Sequence, residues 1–251
     1  MKKLAVTLVG ASLAVAMMQA KAEDVGGGFD VSMNAGIVTD YLFRGISQTG
    51  TRGAIQGGLD VKHSSGAYVG TWMSSVNFAE VEQDIYGGYG FNVTPDIALD
   101  AHVIEYTYPQ SRTYNVDYTE YHGGTTISNL AAKGDSLALG ADYSNNLQLI
   151  TNNPMPTNNA TWNYSVGYSY PLPMDMTLSA TLGHYTFMND KVFGTKSAYT
   201  YWNLGVGKKL VGVNWMLSYN DTNLSSTECN AFTGNNDSCK NELVLAATKS
   251  F

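Results

Sequence analysis

The stretch Phe29-Asp30-Val31-Ser32-Met33-Asn34-Ala35-Gly36-Ile37-Val38-Thr39-Asp40-Tyr41-Leu42-Phe43-Arg44-Gly45 alternates with a period of two. Its odd positions carry Phe29, Val31, Met33, Ala35, Ile37, Thr39, Tyr41 and Phe43. Its even positions carry Asp30, Ser32, Asn34, Asp40 and Arg44, with Val38 and Leu42 as exceptions. Successive side chains of an extended chain point to opposite faces, so every charge falls on one face and nearly every large apolar group on the other. The run exceeds an ordinary strand of about five or six residues. It suits a membrane-crossing strand of about 9–11 residues with extensions beyond the bilayer. The period therefore predicts an all-β fold, a transmembrane antiparallel up-and-down β-barrel.

The same reading carried along the chain predicts about 12 strands. After the first come 54–63, 67–78, 82–93, 97–108 and one from Tyr114 with a phase change at Glu120 and Tyr121, expected as a bulge. Strands at 136–145, 161–170, 176–183, around Trp202 to Val206, 213–220 and 241–251 complete the set. In 67–78 the apolar set is Tyr68, Trp72, Val76 and Phe78, opposite Thr71, Ser75 and Asn77. Single-chain bacterial barrels have even strand numbers, with short periplasmic turns after even strands and longer external loops after odd ones. The turn signals at 64–66, 94–96, 171–173 and 211–212 follow even strands. The longest polar segments follow odd ones.

Residues 1–22 are expected to be a cleaved signal peptide: a Lys2-Lys3 start, an apolar run to Met18 and the small-x-small site Ala20-Lys21-Ala22. The remaining 23–251 are expected to form a single barrel domain. Losing Lys2, Lys3 and Lys21 from 14 basic residues leaves 11 against 21 acidic ones, a net charge of −10. Nucleic acid is excluded as a partner, since phosphate binding needs a basic face. Slightly polar mean hydropathy agrees with alternating strands, and 17 Tyr, 26 Gly and 4 Trp with only 14% charged residues point the same way. A soluble sandwich shares those values. Cys229 and Cys239 lie in a Gly/Asn/Ser-rich stretch without histidine, and an exported chain with one nearby pair is expected to close that loop by a disulfide.

The chain ends on Phe251, with Leu243, Leu245 and Ala247 on the same face. Such a strand is expected to address the barrel-assembly machinery of the outer membrane. Lys249 interrupts the apolar set and can snorkel to headgroups.

The N-terminal third carries more than periodicity. Ser32-x-Asn34-x-Gly36-x-x-x-Asp40-Tyr41-x-Phe43-Arg44-Gly45-Ile46-Ser47-Gln48-Thr49 is followed by Gln56-Gly57-Gly58-x-Asp60 and by His63-x-Ser65-Gly66-x-Tyr68-x-Gly70-x-Trp72. Glu82-x-Asp84-x-Tyr86-x-Gly88-Tyr89 continues the pattern, and the Thr-Lys-Ser-Phe ending is similar. Together they closely resemble the TorF family, assigned as porins by prediction and also catalogued as the Gcw_chp domain of unknown function. The likeness is strong to about Tyr89. It implies an outer-membrane barrel and supplies no substrate or catalytic residue. The cysteine loop is not part of it.

The polar faces place Asp30, Asn34, Asp40, Arg44, Gln56, Asp60, Lys62, Glu82, Asp84, Asp100, His102, Asp117 and Asp142 toward the lumen. A charge on the lipid side costs roughly 2–4 kcal/mol at mid-depth. The expected function is a porin-like channel for passive diffusion of small polar solutes or ions, with a weak cation preference from the acidic excess. Two alternatives stand beside it: acids paired with Arg44 and Lys62 as a structural network in a closed lumen, and a surface-interaction barrel. An outer-membrane hydrolase needs a Ser or Thr beside a histidine on the lipid-facing rim. Of His63, His102, His122 and His184, only His184 sits there, without a serine motif. Glu82 and Asp84 share a face, but a metal site needs ligands from other strands. No enzyme activity, metal or cofactor is expected.

Overall fold

The computed structural model describes residues 22–109, 116–147, 159–188 and 196–251. The expected signal peptide, apart from Ala22, lies outside them, as does Tyr114. The strands are β1 (Glu23–Gly26), β2 (Phe29–Val38), β3 (Leu42–Phe43), β4 (Ile46–Ser47), β5 (Ala54–His63), β6 (Ala67–Ser74), β7 (Glu82–Thr94) and β8 (Ile97–Thr107). They continue as β9 (Tyr118–Ser128), β10 (Ser136–Leu147), β11 (Asn159–Leu172), β12 (Met176–Phe187), β13 (Ala198–Leu210), β14 (Val213–Thr222) and β15 (Glu242–Ser250). One helix, α1 (Ser226–Thr233), precedes β15.

Twelve strands, β2 and β5 to β15, close into an antiparallel barrel in which each pairs with its neighbours in the chain. Closure occurs at β2, which pairs with β5 along Phe29 to Val38 and with β15 from Asn34 to Val38. β15 is too short to cover the rest of that seam. β1 folds back to pair Glu23 with Val31 and Asp24 with Asp30, so the lower edge of β2 is also occupied. An unpaired edge is a template for aggregation, and closure removes it.

Side chains alternate around the cylinder as the sequence predicts. Ile37, Ile55, Val69, Leu182, Leu204, Leu217 and Leu243 stand exposed on the outside, a surface fitted to hydrocarbon. The connections after β5, β7, β9, β11 and β13 lie at one end with both chain ends, and those after β2, β6, β8, β10, β12 and β14 lie at the other. The turn after β9 is longer than its counterparts, yet Asp135 holds it compact. Its carboxylate accepts the amides of Leu130, Ala131 and Ala132 and the Tyr168 hydroxyl at 2.6–2.9 Å. The Tyr168 bond, then those amides, hold this carboxyl below the ordinary carboxylate range.

Three expectations are corrected. The opening stretch is not one strand, because β2 stops at Val38 and the chain turns into the barrel. The third strand ends at Ser74, and its apolar set faces inward: Tyr68 and Trp72 are buried while Val69 and Met73 are outside. Tyr68 needs a partner for its hydroxyl and finds Asp100 across the lumen wall at 2.9 Å, a bond that hydrocarbon could not supply. The bulge at Glu120 is absent. β8 and β9 pair without interruption from Ile97 with Ile127 to Tyr106 with Tyr118. Tyr118, Glu120 and His122 all point inward, and Tyr121 points out.

Candidate functional site: an inward hairpin in a polar interior

Residues 40–49 form a small hairpin folded into the cylinder. β3 and β4 pair Phe43 with Ile46, leaving Arg44 and Gly45 as the two turn residues, with φ of 50° and 79°. Positive φ at both positions is the type I′ hairpin turn, where glycine at the second position avoids a Cβ clash. A Cβ on Gly45 would also lie 2.7 Å from Thr222 Cγ2. Asp40 ties the hairpin base, accepting from Ser47 Oγ at 2.7 Å and from Thr49 Oγ1. Tyr41 donates its hydroxyl to Glu82 at 3.0 Å and packs edge-on against Trp72.

The turn presents Arg44, 2% exposed, to the far wall. Nη1 and Nη2 donate to the two oxygens of Glu120 at 2.8 and 2.9 Å, and Nη2 lies 3.3 Å from Asp142 Oδ2. The guanidinium also covers the rings of Phe43 and Tyr185. Asn163 donates to Asp142, Tyr201 to Asn163, Tyr106 to Glu120, and Tyr199 to the Arg44 carbonyl. A buried ion pair is tolerated only when such bonds satisfy the remaining donors and acceptors. Arg44 Nε and Asp84 Oδ1 have no protein partner among the described residues.

Below the hairpin, toward the turn end, a second set lines the wall of β5 to β9. Tyr86 donates to Asp60 at 2.6 Å and Tyr68 to Asp100, while Gln56 donates to Ser74 at the level of the hairpin, where Ser74 faces Glu82. His102 pairs with Asp100 at 2.8 Å and His122 with Asp142 at 2.6 Å. Lys62 forms no ion pair among the described residues, so the expected network of acids shared by Arg44 and Lys62 exists around Arg44 alone. A cavity of about 370 Å³ opens at this end, lined by Asp30, Lys62, His63 and Asn92.

The loop end is covered by the segment after β14. Ser225 caps α1 in a capping box with Glu228, and Gly234 ends it in the left-handed conformation. This helix, where the sequence suggested only a loop, is held by the Cys229–Cys239 disulfide. The hairpin is bonded to this lid, with Ser47 N donating to Ser238 O at 2.7 Å. Between them lies a cavity of about 200 Å³ lined by Phe43, Ile46, Tyr118, Tyr185 and Phe232.

The structure thus brings Arg44, Glu120 and Asp142 into one buried cluster, leaves Asp40 at the hairpin base and Glu82 on Tyr41, and gathers Asp60, Asp100 and His102 on the wall below. Asp117 joins neither. It precedes β9 in the phase of outward Tyr121, and its Oδ1 accepts the Tyr108 amide at the loop rim. Glu120, His122, Asn163 and Tyr41 also line the interior, although they are not among the expected lumen residues. Taking β9 in the phase of Glu120 and His122 would have revealed the first two. Outside the barrel, His184 Nδ1 lies 3.1 Å from Thr200 Oγ1. Asn223 accepts the Thr200 backbone amide, so it does not orient the imidazole.

No curated protein matches the chain in sequence. Among solved structures, the NanC porin gives a TM-score of 0.57 at 11% identity, over 87% of this chain and 97% of that one. The KdgM porin gives 0.58 at 7% identity, over 88% and 99%. A KdgM porin in complex with disordered oligogalacturonate gives 0.55 at 7%, over 88% and 98%. At such identities the likeness is one of fold. The sequence model of the family described as bacterial proteins of unknown function (Gcw_chp) matches residues 21–251, and the chain belongs to that family.

Proposed function

We propose that this barrel is an outer-membrane porin of the TorF type, a narrow channel for passive diffusion of small polar solutes or ions. The supporting observation is a closed cylinder with an apolar exterior and a polar interior, narrowed by one inward hairpin. Residues 1–22 are removed on export, and the strand ending at Phe251 is read by the assembly machinery. The turn end faces the periplasm and the disulfide-bonded lid faces outward. Asp40, Arg44, Gln56, Asp60, Lys62, Glu82, Asp84, Asp100, His102 and Asp142 line the route. Their acidic excess, joined by Glu120, gives a weak preference for cations. KdgM, a barrel of like fold, has been captured with an oligosaccharide, which supports a solute path through such a cylinder.

A barrel that conducts nothing is the second reading, and the buried Arg44–Glu120 pair favours it. Planar-bilayer recording of the refolded protein, beside a variant in which residues 40–49 are replaced by a short Gly/Ser linker, separates the two. The channel reading expects discrete conductance in the native chain and a larger one in the variant. A silent native chain with a conducting variant establishes a plug. Esterase activity is not expected, because among the described residues no Asp or Asn orients His184.

A further inference from the structure

We propose that the inner wall carries a transition-metal site made by His102 and His122 with Asp100, directly beneath the hairpin. His102 on β8 and His122 on β9 are directly opposed in the sheet register, and both point inward. Their rings stack with centroids 4.4 Å apart at 20°. The donor atoms of Asp100, His102 and His122 lie within 4.8 Å of one another. Three donors from two adjacent strands therefore converge on one spot.

The tautomers favour ligation. His102 Nδ1 meets Asp100 Oδ1, and His122 Nδ1 meets Asp142 Oδ1. Asp142 only accepts, so the His122 ring hydrogen sits on Nδ1 and its lone pair lies at Nε2, whereas His102 Nδ1 and Asp100 Oδ1, 2.8 Å apart, both become ligand atoms when an ion displaces the proton between them. His122 Nε2 has no protein partner among the described residues. Metal-bound histidines are held as His122 is, with the remote nitrogen donating to a carboxylate that fixes the ring and raises its basicity. Room for the ring comes from Gly124, where any Cβ would stand 2.7 Å from His122 Nε2.

The donor set selects the ion. Two imidazoles and a carboxylate suit Zn²⁺ or Cu²⁺, whereas Ca²⁺ and Mg²⁺ prefer oxygen alone. Zn–N bonds of about 2.0–2.1 Å require donors about 3.3 Å apart, so donors that lie within 4.8 Å of one another must draw together around the ion. The surrounding wall carries Asp60, Asp84, Asp100 and Asp142 against Lys62 and Arg44, so a cation is drawn toward it. Asp142 holds His122 through Oδ1 and lies beside Arg44 through Oδ2. An ion on His122 is thereby one side chain away from the hairpin.

The test uses tag-free, refolded full-length barrel in detergent, and its outcome does not depend on whether the barrel conducts. Titration calorimetry with Cu²⁺ and Zn²⁺ is expected to give one ion per chain, and electron paramagnetic resonance of the Cu²⁺ form to show coupling to two imidazole nitrogens. His102→Gln and His122→Gln should each weaken binding at least tenfold. Asp142→Asn should weaken it about tenfold through the lost orienting charge, and His63→Gln and His184→Gln should leave it unchanged. Should a lumen variant fail to fold, the nitrogen count in the native protein decides alone. Absence of binding, a spectrum without two nitrogens, or affinity unmoved in the folded double variant would overturn the site.

Discussion

Arg44 and Glu120, 76 residues apart in the chain, meet in a two-pronged ion pair inside the barrel at 2.8 and 2.9 Å. One partner rides on an inward turn and the other on a wall strand. The pair is therefore a bolt that fixes the hairpin across the proposed route.

Removing one half of that bolt strands a charge. Arg44→Ala leaves Glu120 and Asp142 without their cation and should destabilise the barrel by about 3–5 kcal/mol, read by urea unfolding in micelles. Conductance should rise in the same variant. Unchanged conductance with lowered stability would assign Arg44 a structural role only.

Gly45 tests the turn. Gly45→Val places a β-branched residue at φ 79° and pushes a Cβ to 2.7 Å from Thr222 and 3.0 Å from Tyr201. A strained position of this kind costs of order 1–3 kcal/mol. The hairpin should leave its seat while the barrel survives. Protease cleavage within 40–49 and a larger conductance would report it.

Reducing the Cys229–Cys239 bond should loosen only the lid. The bond closes a loop with a sequence separation of 10, worth about 2–3 kcal/mol in chain entropy. Heat-dependent gel mobility, a barrel property, should persist under reductant. Amide exchange in α1 should accelerate, and equal exchange in both states would show that packing alone holds the helix.

The lid should also respond to acid. Lys196 lies 2.8 Å from Glu228, and with Ser225 at the helix cap it lowers the Glu228 carboxyl from 4.5 to about 2. A depressed carboxylate stabilises the fold above its unfolded value and loses that contribution as pH falls through the folded one. The protection factor at α1, the exchange rate of the unfolded chain divided by the observed rate at the same pH, should thus be constant above pH 5 and fall between about pH 4.5 and 2. Glu228→Gln should abolish the dependence. The Lys196 contact is partly exposed, so salt should weaken it.

An outward charge tests which face meets lipid. Leu204→Arg, on the outer surface of β13, should cost about 2–4 kcal/mol near mid-depth. Refolding into vesicles followed by denaturant titration would measure it, and a neutral result would place that face in water.

Strand number, strand order and the assignment of turns to one end followed from the sequence alone, because each depends on local alternation and local turn chemistry. β5 runs over the expected residues, and Trp202, Leu204 and Val206 share an outer face as their spacing indicates. Two things were decided only in three dimensions. Alternation defines two faces but not which is inside when both are apolar, and this interior is lined with tyrosines whose hydroxyls meet acids from other strands. Thr39 to Gly45 kept the strand period, yet those residues turn inward because Asp40 binds Ser47 and Thr49 while Arg44 reaches a carboxylate on β9. The Asp40 bonds are local to the hairpin, but the partner of Arg44 exists only once the cylinder has closed. Periodicity records the exit from water, and closure determines where each buried charge finds its counter-charge.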